Sequence, residues 1–409
     1  MADVHRMIEQ RYVEPVNSDY MRLAAIQGML APLRDDFTQF YPPAQGKQLH
    51  DMLEGSYAGI GVRIERTPEG YTRVITPLEN SPAALAHIEP QDIILTVDGQ
   101  SIQNLSKDDV SNRIRGRPGT TVLLGLRSPE GLDREVSVQR ATVIDPVTLG
   151  YQRGPDNTWR YFIDDDAKLA YVRFTQFTPD SGDLLRKTLE GLVSQGMRGL
   201  ILDLRFNGGG ELQQAVSIAN LFLRGGELVV TTRGRASPEY KRYTENGKTL
   251  PNFPVVLLVN EDTASASEIV AGALADHARA LKDDPRPVVV VGARTFGKGS
   301  VQIAPNLADD NGTLKMTIAY WYTPSGRRVH RLPNADVWGV EPDVTVPLDE
   351  AGRNKLEDAL AARTYMRRVG ETIPRPDEVA DDPQLAKAVE VLAAQLLPPP
   401  ATQPTTKPQ

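Results

Sequence analysis

Three short runs in this chain are aliphatic at almost every position: Gly199–Arg205 (GLILDLR), Pro254–Val259 (PVVLLV) and Pro287–Gly292 (PVVVVG). A strand with one wet face alternates apolar and polar residues, whereas a strand without alternation is covered on both sides. Helical patterns lie between and around these runs, at Ser181–Gln195, Glu211–Leu223 and Ser265–Arg279, and a further strand is expected at Leu169–Phe174. Continuous apolar strands separated by helices predict an α/β core, a mostly parallel sheet with covering helices. A long alternating strand is expected at Thr313–Tyr322. In such sheets chemistry collects at the loops beyond the carboxyl ends of the strands.

The 409 residues leave room for two or three domains, and 40 % hydrophobic content is ordinary for a globular protein. A net charge of −7, with Lys and Arg scattered, argues against a nucleic-acid surface. The absence of cysteine excludes disulfides, thiolate nucleophiles, Cys-ligated zinc and iron–sulfur clusters. His5, His50, His87, His277 and His330 form no two-His helical motif and have no carboxylates at metal-ligand spacing, so no metal site is expected. The first thirty residues, with Glu9, Glu14 and Asp19, hold no basic region followed by an apolar run. No signal peptide is therefore visible, and no stretch reaches the length of a membrane span.

Apolar residues recur at helical spacing from Ala2 to about Met52, with Pro42-Pro43 breaking the run, which predicts a helical N-terminal arm over 1–56. The arm either packs on the domain after it or serves dimerisation. From Tyr57 to Ala141 short alternating strands take over, with helices at Ser81-Pro82 and Lys107–Ile114 and a turn at Asp98-Gly99. This order, and Pro90–Gly99 (PQDIILTVDG) above all, resembles a PDZ domain over 57–141, inserted ahead of a core over 142–349. Such domains add an extended peptide as a strand and hold its terminal carboxylate on backbone N–H groups of a glycine-containing loop. Gly59, Ile60, Gly61 and Val62 match that loop. Helical patterning returns over 350–396 through Leu356, Leu360, Tyr365 and Met366, and the Pro- and Thr-rich stretch 397–409 is expected to be disordered.

Three loops of the core carry candidate chemistry. Asp203–Gly210 (DLRFNGGG) joins a strand to a helix, and its triple glycine lets backbone N–H groups converge on an anion. Asn260–Glu268 (NEDTASASE) leads into an Ala-rich helix, where the N–H of Ala266 faces any charge developing near Ser265. Ser265-x-x-Glu268 also fits a capping box, so taken alone Ser265 reads as a helix cap. Gly292-x-x-x-x-Gly297-Lys298 approaches a phosphate-binding loop, but Gly299 stands where that motif needs Ser or Thr, and a strand pattern comes next instead of a helix. On a strand, Lys298, Ser300 and Gln302 share one face, with Phe296 nearby to dry the site. Together the loops supply a hydroxyl, a base and amide donors, the parts of acyl transfer. His277 lies too far along the same helix to act on Ser265, so the base falls to Lys298, provided burial keeps it neutral.

Thr263–Ile269 (TASASEI), Thr295–Gln302 (TFGKGSVQ) and Asp203–Gly210 together resemble the carboxyl-terminal processing, or tail-specific, proteases, and the resemblance runs from about Tyr12 to Leu348. It implies a ClpP/crotonase-like core and a serine endopeptidase that cuts proteins near their C-termini after PDZ capture of an apolar, unstructured tail. It makes Ser265, not Ser267, the nucleophile, Lys298 the base and Gln302 its orienting partner. Gly210, Gly209 and Ala266 become the oxyanion donors. Arg115, at the end of Lys107–Ile114, is a candidate link between peptide capture and activation. The resemblance implies no cofactor, an extracytoplasmic location such as the periplasm, a homo-oligomer, and an adaptor or activator as partner. The competing expectation is a PDZ scaffold that binds tails without cutting them. The connection Leu281–Pro287 looks longer than is usual for the family.

Overall fold

The computed structural model describes residues 2–53, 55–236, 238–280, 287–308, 311–368 and 382–396; the connection Leu281–Pro287, except Pro287, and the stretch 397–409 lie outside them. At its centre the strands Leu169–Phe174, Gly199–Asp203, Val255–Val259 and Val288–Gly292 run parallel side by side, with Val344–Thr345 parallel at one edge. Every residue of Gly199–Asp203 and Val255–Val259 is buried, as the missing alternation requires. Leu200, Leu202 and Leu257 face one side, where the helices Ser181–Ser194, Leu212–Phe222 and Ala266–Ala280 bring Leu185, Ile218 and Leu274. Ile201, Val256 and Leu258 face the other, against Leu385, Ala388 and Leu392 of the helix Pro383–Leu396. The alternation of side chains across each strand thus sends successive residues to opposite covers.

The parallel sheet does not include Thr313–Tyr322. That strand belongs to a second, antiparallel sheet, where it pairs with Ser300–Ile303, with Gln39–Tyr41 and with Leu228–Arg233. The N-terminal region is accordingly not all helix. Ala2–Arg11 and Ser18–Leu30 are helical, but Gln39–Tyr41 is a strand, and Pro43 opens the helix Pro43–Leu53 where the sequence suggested a break. Proline fits a first helical turn because the N–H it lacks has no partner there.

Residues 60–139 form a separate antiparallel unit with its own core of Ile60, Val74, Ile94, Val110, Leu124 and Leu126. It holds the expected helix Lys107–Ile114 and also the strand Asp133–Gln139, overlooked in the sequence because most of its residues are exposed or half-exposed. Ser56–Gly59 and Ala141–Ile144 pair where the chain enters and leaves the unit. Segments from the core and the C-terminal region grip it. Arg153 bonds Glu79 Oε2 at 3.1 Å and the Thr364 carbonyl at 3.2 Å, the Met366 N–H donates to Thr76 Oγ1, and Arg368 reaches Glu89 at 2.9 Å.

Beneath the central sheet lies a closed ionic cluster. The Arg205 guanidinium sits between Asp203 and Asp382 at 2.7 and 2.8 Å, Tyr171 donates to Asp203 at 2.7 Å, and all four side chains are buried. Burial alone would raise the Asp203 carboxyl, but the guanidinium and its hydrogen bonds hold it below the usual carboxylate range. Asp382 also accepts from the N–H of Leu385 at 3.0 Å, so the cluster starts the C-terminal helix and fixes it to the sheet. No helix among the described residues is long and apolar enough to cross a membrane.

Arg205→Ala would leave two buried carboxylates without a counter-charge, a change of about 3–5 kcal/mol in stability. Urea unfolding of the full chain should show the midpoint falling accordingly; an unmoved midpoint would mean that Asp203 and Asp382 do not depend on the guanidinium.

Candidate active site

The strand Val255–Val259 ends at Asn260, whose side-chain carbonyl accepts from the N–H of Phe206 at 2.9 Å and so ties this loop to the neighbouring one. The helix Ala266–Ala280 begins directly after Ser265, which has φ +57°. A left-handed serine at a strand-to-helix turn is strained, and it lifts the side chain away from the helix it precedes. The expected cap is therefore only half made: Glu268 Oε2 accepts from the N–H of Ser265 at 2.9 Å, but the Ser265 hydroxyl caps nothing and has no hydrogen-bond partner among the described residues. It lines a cavity of about 500 Å³. Ser267 is different, being fully buried with its hydroxyl donating to the Asn207 carbonyl at 2.9 Å.

Glu268 had a single role in the sequence, as the far end of a capping box. In the structure it is a buried clamp. One oxygen accepts from Thr295 Oγ1 at 2.6 Å and the N–H of Gly297 at 2.7 Å; the other accepts from the N–H groups of Lys298 at 2.8 Å and Ser265 at 2.9 Å. Burial pushes this carboxyl above its ordinary value, and the four donors work against that. One carboxylate oxygen thus holds the backbones of both Ser265 and Lys298.

The glycine loop packs directly on the serine turn. Gly209 has φ +95°, and a Cβ there would stand 2.7 Å from the Ala264 carbonyl, so no other residue fits. Asn207 joins the two loops: its side chain accepts from the N–H of Gly209 at 2.9 Å, and its carbonyl accepts from the N–H of Ala264 at 3.0 Å. The Gly209 N–H is therefore occupied. Those of Gly210 and Ala266 have no acceptor among the described residues, and both residues line the cavity.

Lys298 lines the same cavity, as do Gln302 and Lys315. Its backbone carbonyl accepts from Trp321 Nε1 at 3.0 Å, and its Nζ lies 5.3 Å from the centre of the Phe37 ring. Burial first, and then the charge of Lys315, push the Lys298 amine below the ordinary lysine range, while Glu268 acts the other way. No hydrogen bond joins this amine to the Ser265 hydroxyl in the described structure. Gln302 donates to Ser300 Oγ at 2.7 Å and more weakly to Thr317 Oγ1 at 3.4 Å, and not to Lys298. Phe296 is 45 % exposed and does not line the cavity. The aromatic contact comes instead from Phe37, more than two hundred residues earlier, which no local pattern could reveal.

The nucleotide alternative fails on the element after Lys298, which is the strand Ser300–Ile303 and not a helix. His277 bonds the Leu228 carbonyl at 2.8 Å from the last turn of the helix Ala266–Ala280, which begins directly after Ser265. In the antiparallel unit, Gly61 has φ +76° and would drive a Cβ into Ser81. Ile60 is buried, and Val62 begins the strand Val62–Arg66, which packs beside Lys107–Ile114. Arg115 is exposed and stacks 5.8 Å from the Tyr57 ring centre, close to Gly59.

Two family models match: peptidase family S41 over residues 168–346 and a PDZ domain over residues 73–128. The molecule is thus a serine-type peptidase that carries a PDZ domain. A carboxyl-terminal-processing protease of Picosynechococcus sp. is 35 % identical over 350 residues, 85 % of this chain and 78 % of that one. The carboxy-terminal processing protease CtpA of Bacillus subtilis is 30 % identical over 355 residues, 87 % and 70 % of the two chains. This chain belongs to that family, the carboxyl-terminal processing proteases. A solved putative S41 protease from Bacteroides fragilis has the same fold, with a TM-score of 0.53 at 16 % identity over 96 % of this chain and 97 % of the other.

Replacing Glu268 by Gln keeps the volume but turns an amide N–H₂ toward donors that need an acceptor. Displacing the two loops should lower kcat by about 10²-fold with less effect on KM. Steady-state kinetics on a flexible-tailed substrate would measure this, and an unaltered kcat would rule the clamp out as a positioning device.

Proposed function

We propose that this protein cleaves other proteins near their C-termini with a Ser265/Lys298 dyad, after its PDZ domain has taken up an apolar, unstructured tail. The observation that carries this reading is the convergence of an unbonded Ser265 hydroxyl, the Lys298 amine and the free N–H groups of Gly210 and Ala266 on one cavity. Neutral Lys298 takes the hydroxyl proton as Ser265 Oγ attacks the scissile carbonyl carbon, and the tetrahedral oxyanion forms against Gly210 and Ala266. The proton passes to the departing amine, and water then hydrolyses the acyl-enzyme by the same path. The Lys298 amine must swing from the Phe37 ring to Ser265 for this, a tightening expected once substrate fills the cavity. Gly209 contributes by its shape, since Asn207 occupies its N–H. Gln302 holds the strand face beside the base through Ser300.

In the PDZ domain the peptide carboxylate meets the N–H groups of Gly59–Val62, and its backbone extends the strand Val62–Arg66 opposite Lys107–Ile114. Arg115 is the link from that loop toward activation, by way of its stack on Tyr57. The chain divides into the arm 1–56, the PDZ domain 57–141, the ClpP/crotonase-like core 142–349, the C-terminal region 350–396, with the helices Glu350–Ala362 and Pro383–Leu396, and the tail 397–409. The arm supports self-association: Ser18–Leu30 buries none of its residues, and Tyr20 and Met29 are exposed. An adaptor or activator would act on the PDZ domain, and the extracytoplasmic space, such as a periplasm, is the setting.

Ser265→Ala and Lys298→Ala should each reduce cleavage of a flexible-tailed protein by about 10³-fold or more. A serine-directed reagent should label Ser265 in the parent chain. Turnover surviving either replacement would end the dyad assignment. Because the amine must be neutral and is held below the ordinary lysine range, the rate should fall with decreasing pH along a limb below about 10.4. A limb at the ordinary lysine value would contradict a perturbed base.

A further inference from the structure

A second lysine in the catalytic cavity has no partner among the described residues. Lys315 is half-buried on the strand Thr313–Tyr322 and lines the cavity with Ser265, Lys298 and Gln302. Its neighbour but one, Thr317, is the residue paired with Gln302 across the sheet, so alternate residues from Thr317 to Lys315 share the face that Gln302 presents. Among the described residues the Lys315 amine makes no hydrogen bond and no ion pair, although Lys and Arg side chains elsewhere in the molecule find carboxylates freely. A lysine partly withdrawn from water without a carboxylate in bonding contact is costly to a fold, and its position in the same cavity as another amine calls for a reason.

We infer that Lys315 is a positioning residue for the peptidase reaction: its ammonium group, facing the catalytic cavity from the neighbouring strand, keeps Lys298 in the neutral form that accepts the Ser265 proton. The inference rests on the reading of Lys298 as the base. A positive charge close to an amine favours loss of that amine's proton, and burial strengthens the effect by thinning the water between them.

The other groups around Lys298 leave this task open. From the helix Ala266–Ala280, Glu268 favours the charged amine. Glu211, at the head of Leu212–Phe222, also borders the cavity and has the same sign. The Phe37 ring, 5.3 Å from Nζ, favours a cation as well. From the segment after Val329, His330 packs its backbone on Gly299, and burial and Arg328 push its imidazole below the ordinary range, so it brings little charge. The opposing influences are burial and Lys315. Lys315 is itself lowered by burial, while Asp35, in the segment before Gln39–Tyr41, favours its charged form. The two amines therefore differ in surroundings: Asp35 favours the charged form of Lys315 against its burial, and a charge there discourages protonation of Lys298.

The experiment is the pH profile of kcat/KM for the full chain on a flexible-tailed protein substrate, with Lys315→Met and Lys315→Arg beside the parent. Methionine keeps most of the stem and removes the charge. The acid limb should then move up by about one pH unit, the lower end of what a close charge produces, so the rate at neutral pH falls about tenfold and is regained as the pH rises. Arginine keeps the charge and should return the limb toward its parent position. Lys315→Gln makes the same comparison should methionine impair folding. A limb that stays in place when the charge is removed, or a loss that is equal at every pH, would overturn the inference. Lys298→Ala separates the two levels: activity surviving that change removes the base itself, whereas an inactive Lys298→Ala with an unshifted Lys315→Met limb removes only the role of Lys315.

Discussion

The site depends on one buried carboxylate. Glu268 lies at the first turn of a helix, and its four donors come from two loops that succeed different strands of the parallel sheet. An isolated carboxylate in that position would shed its charge or destabilise the fold by several kcal/mol. Four converging donors, three of them backbone N–H groups, are what make its burial tolerable, and charge-assisted bonds of this length are stronger than neutral ones. The consequence is geometric. Ser265 is held in a left-handed conformation by the same oxygen that fixes the Lys298 backbone, so the strain at the serine and the placement of the lysine are two results of one interaction.

How much of this was legible in the sequence varies with the range of the interactions. The parallel strands were readable because burial on both faces erases alternation locally, as in Val255–Val259. The antiparallel sheet was not, because Thr313–Tyr322 pairs with Gln39–Tyr41 and Leu228–Arg233, far away in the chain, and an alternating strand does not name its partners. For the same reason Phe296, adjacent in sequence, was assigned the aromatic role that Phe37 holds in space. The choice between Ser265 and Ser267 needed the family resemblance, since both precede or open the same helix. In the structure the Ser267 hydroxyl is spent on the Asn207 carbonyl, and the Ser265 hydroxyl is unbonded among the described residues. Glu268 could be read only as half a cap, because its other three donors come from Thr295, Gly297 and Lys298.

The two faces of the parallel sheet divide the work. On one face the helix Ala266–Ala280 carries the serine turn, packed against Leu200, Leu202 and Leu257. On the other, Pro383–Leu396 covers Ile201 and Val256 and is fastened by Asp382 to Arg205, two residues beyond the strand Gly199–Asp203 that leads to the glycine loop. A closed cluster of one cation and two carboxylates is a poor source of net stability, but its directional bonds admit only one placement of the helix. That placement fixes the end of the strand, and Asn207 carries the register from there to Gly209 and Ala264. The glycine-loop side of the cavity is thereby tied to the serine turn by hydrogen bonds.

The lysine side is built differently. Lys298 precedes its strand, its amine rests near a ring from the N-terminal region, and Thr38 from that region accepts from the N–H of Thr317, two residues along from Lys315. The arm is thus not a remote appendage, since Asp35, Phe37 and Thr38 all bear on the strand or side chains that border the catalytic cavity. Arg153 and Arg368 similarly join the PDZ domain to the core and to the segment after Glu350–Ala362. On the proposed dyad, the serine turn and glycine loop are tied together by Asn207 and face an amine whose surroundings come from a distant segment, which gives one half of the site geometry and the other half adjustability. Under that proposal the second half is the one able to respond to what the arm or the PDZ domain binds, because the amine is not bonded to Ser265 whereas Gly210 and Ala266 already line the cavity beside it.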